Sequence, residues 1–474
     1  MSFYGSTTLG SRFVDTLRSF AQQDDHPFLS ALPEARLNQI AAEENVSFGQ
    51  GDHDVYTPAI TTLAWMFQCA SAAKSCVAAV SRVIVLLVAL GRPAPSARTG
   101  AYCKARFKLP LTFLQRVCRE LASEVEDQAP NSWRWHSRRV VLVDGTECSL
   151  PDTAENQAAY PQSSQQQPGL GFPMMRILVF IAFATAVVLD AAEGPCQGKE
   201  TGETALLRIL LGSLRAGDVV VADRYHCSYF QIALMLACGV DVAIRLHQRR
   251  SHDLRRGRRL GAGDRLQTWV RPVQPDWMDD ATYAQMPATL QIRLVRVVVH
   301  QRGYRSPEIF VATTLLDPET YTSGDIGDLY HLRWHVELDL RSIKQTMRMA
   351  ELVCKTPEMV RKELWMHLVT YNLVRRVMAA AAEQSGRTPR QLSFAGALQT
   401  LEAYRGELQR AEGGTELSRR LLATLLRAIG SHEVGNRPGR VEPRRVKRRQ
   451  QKYPLLRQPR AAARAALLNG TANA

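Results

Sequence analysis

From about residue 10 to residue 130 apolar positions recur at helical spacing. Val14, Leu17 and Phe20 open the series, and Ile60 to Leu90 is rich in Ala, Leu and Val with little alternation. Gly91-Arg-Pro-Ala-Pro95 interrupts it, and Pro110 and Thr112 start a further helix that carries Phe113, Leu114 and Val117. At Arg139 the pattern changes. Val140 to Val143 is a continuous apolar run, read as a buried strand that Asp144-Gly145 ends. Residues 152–170, with many Gln, Ser and Pro, read as a loop. Strands are expected near 174–182 and 185–190, a helix over 200–214, and a strand from Asp218 to Ala222 that ends at Asp223. A helix near 227–238 and a strand from Asp241 to Leu246 follow. Three strands, helix, strand, helix, strand describes a mixed α/β sheet layered by helices. The stretch 247–320 reads as a β-rich insertion, with strands at 266–270, 290–300 and 308–315 and no convincing helix between them. Helical pattern resumes over 324–347, 357–384 and 388–430. After Gly435 no period is visible.

The chain has 474 residues, 45% of them hydrophobic, enough for a sizeable core and for two to four structural units. Its net charge of +15 is concentrated in two places. Residues 249–259 hold six Arg against one Asp, and residues 437–464 hold eleven Lys or Arg against one Glu. Charge focused in this way suits contact surfaces for a polyanion. A third basic segment, with Arg98, Lys104, Arg106 and Lys108 around Tyr102 and Phe107, reads either as a solvated helix surface or as a DNA-binding face. The nine cysteines are scattered, contain no C-x-x-C pair and fit no zinc spacing, so they read as small buried residues of a reducing compartment. The opening Met-Ser-Phe-Tyr-Gly has no secretory layout, and the longest apolar run, Ile177 to Leu189, is too short to span a bilayer. A soluble, cytoplasmic protein is expected.

Two aspartates, Asp144 and Asp223, stand at expected strand ends, where ligands collect in open α/β sheets. An acid after a strand is more often a turn or cap residue, and Asp190 competes because it also closes an apolar run. Glu147 and Asp152 lie near Asp144 but have loop surroundings. A third acid comes from the helix expected over 324–347. With Tyr330 at zero and roughly 100° per residue, Arg333, Glu337 and Lys344 fall within about 60° of it. Leu332, Val336, Leu340, Ile343 and Met347 form the buried face. Such a stripe usually means surface ion pairs, and Arg333 to Glu337 has the spacing for one. It would equally suit an acid that holds metal beside donors that hold phosphate. His331 and His335 are one turn apart but face away and lack the glutamate of a metalloprotease helix, so they read as surface residues. Thr146 stands where a haloacid-dehalogenase phosphatase needs a second Asp, and no phosphate-binding Gly-Lys loop or Gly-x-Ser-x-Gly elbow occurs.

Tyr330-x2-Arg333-x3-Glu337-x6-Lys344 resembles the Y-R-E-K signature of bacterial insertion-sequence DDE transposases. Val-Asp144-Gly-Thr and Val-Ala-Asp223-Arg224 resemble the two Asp motifs of that family, in the same order. The run from Gly435 to Arg444 and the basic tract after it are also similar to its members. The likeness covers roughly residues 100–460.

The resemblance implies an α/β protein whose ribonuclease-H-like catalytic domain is interrupted by a β-rich insertion. Helical regions would flank it, the C-terminal one basic. The layout would be a helical DNA-binding domain over 1–130, core segments over 131–246 and 321–385, the insertion over 247–320 and a C-terminal region over 386–474. It favours Asp223 over Asp190, since the second acid of that fold follows the fourth strand. Asp144, Asp223 and Glu337 would be catalytic and would hold two Mg²⁺ ions, with Mn²⁺ able to substitute, for attack on DNA phosphodiesters. Arg333 and Lys344 would bind phosphates near the cut, and Tyr330 and Trp334 would cradle a DNA end. Trp269 or Trp277 would be the stacking wedge. Arg224, Arg249, Arg250, Arg255 and Arg256 would contact transposon-end or flanking DNA. Arg444, Arg445, Lys447, Arg448 and Arg449 would contact the backbone. The partners implied are double-stranded DNA and a second copy of the chain on paired ends. The rival readings are a metal-dependent nuclease that does not join DNA, and a DNA-binding regulator descended from a transposase.

Overall fold

A computed structural model describes residues 34–51, 54–71, 73–89, 93–250, 253–298, 308–410, 416–435 and 455–469. Among the described residues five helices come first: α1 (Glu34–Glu43), α2 (Pro58–Ala70), α3 (Cys76–Ala89), α4 (Gly100–Lys108) and α5 (Leu111–Asp127). In α5 the residues Phe113, Leu114, Val117, Cys118, Leu121, Ala122 and Val125 follow three- and four-residue spacing, and all are buried. The basic segment on α4 is not one face. Arg106 is buried under Trp65 and Tyr102 and donates to Gln68, while Lys104 and Lys108 face solvent.

The next elements are β1 (Val140–Ser149), α6 (Ala154–Ala159), β2 (Met174–Ala182), β3 (Val188–Pro195), α7 (Glu203–Leu210), β4 (Val219–Ala222), α8 (Tyr229–Ala237) and β5 (Asp241–Arg245). After them come β6 (Arg258–Gly261), β7 (Asp264–Val270), α9 (Asp280–Gln285), β8 (Thr289–Val298) and β9 (Glu308–Thr313). All nine strands of the described residues form one sheet, in the order β3-β2-β1-β4-β5-β9-β8-β7-β6. β1 to β3 pair antiparallel, whereas β1, β4 and β5 run parallel. The strands read in the insertion extend this same sheet, because β9 pairs antiparallel with β5. Contrary to the sequence reading, that stretch also holds a short helix, α9, capped by the Asp279 side chain on the Thr282 N–H.

β1 runs past the aspartate expected to end it. The antiparallel ladder with β2 continues to Ser149 opposite Met174, which keeps the strand extended. The parallel ladder with β4 stops at Leu142 opposite Val221. Asp144 and Asp223 each follow those partners by two residues and so lie level, just beyond the last paired rung. Val140 to Val143 and all of β4 are buried, as expected of central strands covered on both faces.

The helix read over 324–347 is three pieces: α10 (Ser323–His331), α11 (Trp334–Arg341) and a π-helical turn over Ser342–Thr346. At Leu332 and Arg333 the bonding tightens, with the His335 and Val336 N–H groups donating to the Leu332 and Arg333 carbonyls. The single helical wheel therefore does not carry from Tyr330 to Lys344. α11 packs on β1. The 28-residue α12 (Pro357–Gln384) is buried along most of its length and packs against α2, α5 and β3. Its Asn372 both accepts from the Val188 N–H and donates to the Val188 carbonyl, tying helix to sheet. α13 (Phe394–Arg410) and α14 (Glu416–Ser431) pack beside it. The tail expected to lack a period contains α15 (Arg460–Leu468). No helix among the described residues is long and apolar enough to cross a membrane.

Candidate active site

The end of the sheet formed by β1 and β4 collects acids. Asp144 projects from β1 with its side chain 23% exposed, and it accepts from the Gly145 N–H. Asp223 follows β4 and caps a turn over Arg224–His226 by accepting from the Tyr225 N–H at 2.7 Å. Glu337 lies in the first turn of α11, where a negative side chain suits the helix dipole. Arg333 joins two of these acids. Its Nη2 donates to Glu337 Oε1 at 2.7 Å, and its Nη1 lies 3.8 Å from Asp144 Oδ2. Burial pushes the Asp144 carboxyl up to about 7, and Glu337 and Glu203 add to the rise while Arg333 opposes it.

Glu203 was not singled out from the sequence. It opens α7, beside Gly145, and its carboxyl is raised by burial and then by the nearby Asp223. Behind it stands His226, 1% exposed, with Nε2 3.8 Å from Glu203. Burial holds this imidazole below its usual range, with Asp223 opposing.

The rival acids are accounted for otherwise. Asp190 does not end a strand. It is buried within β3, where Arg119 pairs with it and Ser213 bonds to it. Glu147 pairs with Arg176, and Asp152 accepts from Gln157. Of the two histidines read as surface residues, His331 is exposed. His335 packs near Phe183, and burial lowers its pKa to about 4.

Among the described residues no three His, Cys, Asp or Glu side chains stand close enough together to hold a metal ion. The donor chemistry nevertheless fits a hard divalent cation. The donors are all carboxylate oxygens, and Asp144 is held among acids with one guanidinium to balance them.

A family model described as Transposase DDE domain matches residues 135–373, just over half of the chain. The chain belongs to this family. The transposase is also 28% identical over 378 residues to the Escherichia coli (strain K12) transposase InsG of insertion sequence element IS4, covering 76% of this chain and 79% of that one. A solved structure of a piggyBac transposase synaptic complex with hairpin DNA aligns with a TM-score of 0.40 and 9% identity, over 90% of this chain and 86% of the other. The resemblance read from the four motifs is thus borne out at the level of family. As a DDE transposase the protein is a DNA-cleaving and strand-transferring enzyme, of a family that generally uses divalent metal ions.

The transposase's other expected DNA contacts are spread along the sheet. Tyr330 is buried, whereas Trp334 is 52% exposed. Lys344 sits in the π turn, near enough to β1 for its charge to act on the Cys148 thiol. Arg224 donates to Gln248, just beyond β5, and Arg249 is exposed beside it. Arg255 and Arg256 are exposed and share Asp253, ahead of the exposed Arg258 and Arg259 on edge strand β6. Neither insertion tryptophan is a free wedge. Trp269 is 9% exposed beneath Arg250, and Trp277 packs between Arg208 and Phe230. Arg444, Arg445, Lys447, Arg448 and Arg449 lie outside the described residues.

Proposed function

We propose that this transposase cuts at the ends of an insertion sequence and joins them to target DNA through Asp144, Asp223 and Glu337. The observation that carries the reading is the level placement of Asp144 and Asp223 on adjacent parallel strands, with Glu337 tied to Asp144 through Arg333. A ribonuclease-H-like core is supported by the order β3-β2-β1-β4-β5, three antiparallel strands and then two parallel ones, with one acid on the first strand and one after the fourth. The core would comprise residues 131–246 and 321–385. The 247–320 stretch would be its insertion, 1–130 a helical DNA-binding domain and 386–474 a C-terminal region.

The three carboxylates would hold two Mg²⁺ ions, with Mn²⁺ as a substitute. Bound there, the metals supply charge that lowers the pKa of an attacking hydroxyl and stabilises the leaving oxygen. Asp144 and Asp223, fixed by central strands, set where the scissile phosphate must lie. Arg333 and Lys344 bind phosphates on either side of it, and Trp334 offers an open aromatic face to a base of the DNA end.

The exposed arginines of β6 lie five strands from β4, roughly 24 Å along the sheet. That is about seven base pairs of duplex. Arg224 and Arg249 at the near end, Arg250 over Trp269 of β7, and Arg255 and Arg256 at the far end would follow one DNA backbone. Two copies would assemble on paired terminal repeats.

The test uses full-length protein, the element's end DNA and a supercoiled target, with Mg²⁺ or EDTA, beside Glu337→Gln. Metal-dependent nicking and joined product, both lost in the variant, support the reading. Nicking without joined product in wild type would reduce it to a nuclease. DNA binding without any cleavage, under conditions where paired ends form, would overturn it.

A further inference from the structure

The three motif acids leave one carboxylate of this site unexplained. The Glu203 side chain reaches over Gly145, next to Asp144, so closely that a methyl group on Gly145 would overlap it. Asp144 and Asp223 both lie within its electrostatic reach. Its one basic contact within 4 Å among the described residues is His226, at 3.8 Å, an imidazole that burial disfavours in its charged form. Arg176, whose charge acts on it, is engaged by Glu147 and the Thr201 carbonyl.

A glutamate at the start of a helix is favourable in itself. That accounts for its presence on α7 but not for its direction. An acid placed only for the dipole gains nothing by turning towards two other acids. His226 is the second observation. It is 1% exposed, its Nδ1 has no hydrogen-bond partner among the described residues, and its Nε2 edge faces the Glu203 carboxylate. The ring is buried at a cost and lies against this carboxylate, 3.8 Å away and without a hydrogen bond to it.

We propose that Glu203 is a fourth carboxylate ligand for the divalent cations of this site, with His226 as the positioning residue behind it. The proposal rests on the metal-site reading of Asp144, Asp223 and Glu337. Glu203 would add an oxygen from the α7 side, opposite the Glu337 side on α11. Gly145 is then the residue that leaves space for it: a side chain in the middle of the Asp-Gly-Thr motif would push the fourth oxygen away.

The experiment is Mn²⁺ binding to the full-length protein without DNA, read from the electron paramagnetic resonance of free Mn²⁺. Wild type, Glu203→Gln and Asp144→Asn are compared, with thermal melting followed by circular dichroism to establish that each variant is folded. In parallel, Fe²⁺ with ascorbate and peroxide cuts the wild-type backbone wherever the metal sits. The expected result is Mn²⁺ affinity weakened at least about tenfold in Glu203→Gln. Iron-directed cuts should fall beside residue 203 as well as beside 144 and 223, and Mg²⁺ should suppress them. Wild-type affinity in Glu203→Gln, together with weakened binding in Asp144→Asn and no cut near 203, would overturn the proposal and leave the three-acid site standing. Wild-type affinity in both variants would overturn the metal-site reading and the proposal with it. Should Glu203→Gln melt as unfolded protein, the cleavage map of the wild type decides alone.

Discussion

Two stretches of one sheet put charge to opposite uses. At the β1 and β4 end, acids sit on strands buried on both faces, and one guanidinium, Arg333, bridges Asp144 and Glu337. At the β6 edge, arginines stand in solvent, and Asp253 is shared by two of them. Charge in the first place is held by geometry and is costly until a cation arrives. In the second it is hydrated, replaceable and screened by salt. The acid end should therefore fail when a single atom changes, and the basic edge should fail only in proportion to the charge removed.

The largest effect tests the acid end directly. Asp144→Asn keeps shape and removes a charge, and it should lower Mg²⁺-dependent cleavage of end DNA by roughly 10³-fold or more. Its DNA affinity in EDTA should stay near wild type, as measured by gel shift. Residual cleavage above about a tenth of wild type would mean that the strand ends are no more sensitive than the edge.

The next effect is on stability. The Asp144 carboxyl ionises near 7 in the folded protein, against 3.8 for an ordinary aspartate. The folded state thus holds an extra proton between those values. Its contribution is complete below about pH 4 and is lost as pH rises to 7, at most about 4 kcal/mol. Other buried acids titrate here too, so the readout is a difference. Metal-free wild type should lose melting temperature between pH 5 and 7.5 more steeply than Asp144→Asn, and Mn²⁺ should abolish that excess. Parallel slopes would show that this carboxylate is not crowded.

What the sequence disclosed follows the same division. Val140 to Val143 and Val219 to Ala222 are uninterrupted β-branched and apolar runs, legible because central strands need no alternation. Asp144, Asp223 and Glu337 were found because they follow such runs or fall at a spaced signature. Glu203 was hidden, since an acid after Gly202 at a helix start reads as an ordinary dipole partner. His226, two residues after Arg224, was not singled out, because no spacing or motif marks it. The break at Leu332 was also illegible: no Gly or Pro marks it, and tighter local bonds leave the apolar spacing nearly intact. That the insertion strands continue the core sheet depends on β5 meeting β9 across more than sixty residues, and no local pattern writes that pairing.

A smaller effect sharpens the position of Glu203. Gly145→Ala needs no unusual backbone angle but must displace the Glu203 side chain. Mn²⁺ affinity should fall by about as much as in Glu203→Gln, roughly tenfold. The double variant should be little worse than either single one, because both remove the same interaction. Additive losses would separate the two residues.

The smallest single effects belong to the edge. Arg255, Arg256, Arg258 and Arg259 are exposed and alike in chemistry, so replacing any one by Gln should weaken DNA binding by less than about tenfold. Replacing all four should act through counterions. For every phosphate no longer neutralised, the dependence of log affinity on log salt flattens by roughly 0.9. With two of the four sharing Asp253, a total flattening of about 2–4 is expected between 50 and 200 mM salt. Asp144→Asn, measured in the same series without metal, should leave the slope where it was. If the four-arginine variant keeps the wild-type slope, the β6 edge does not touch the phosphates, and the DNA must leave the acid end of the sheet in another direction.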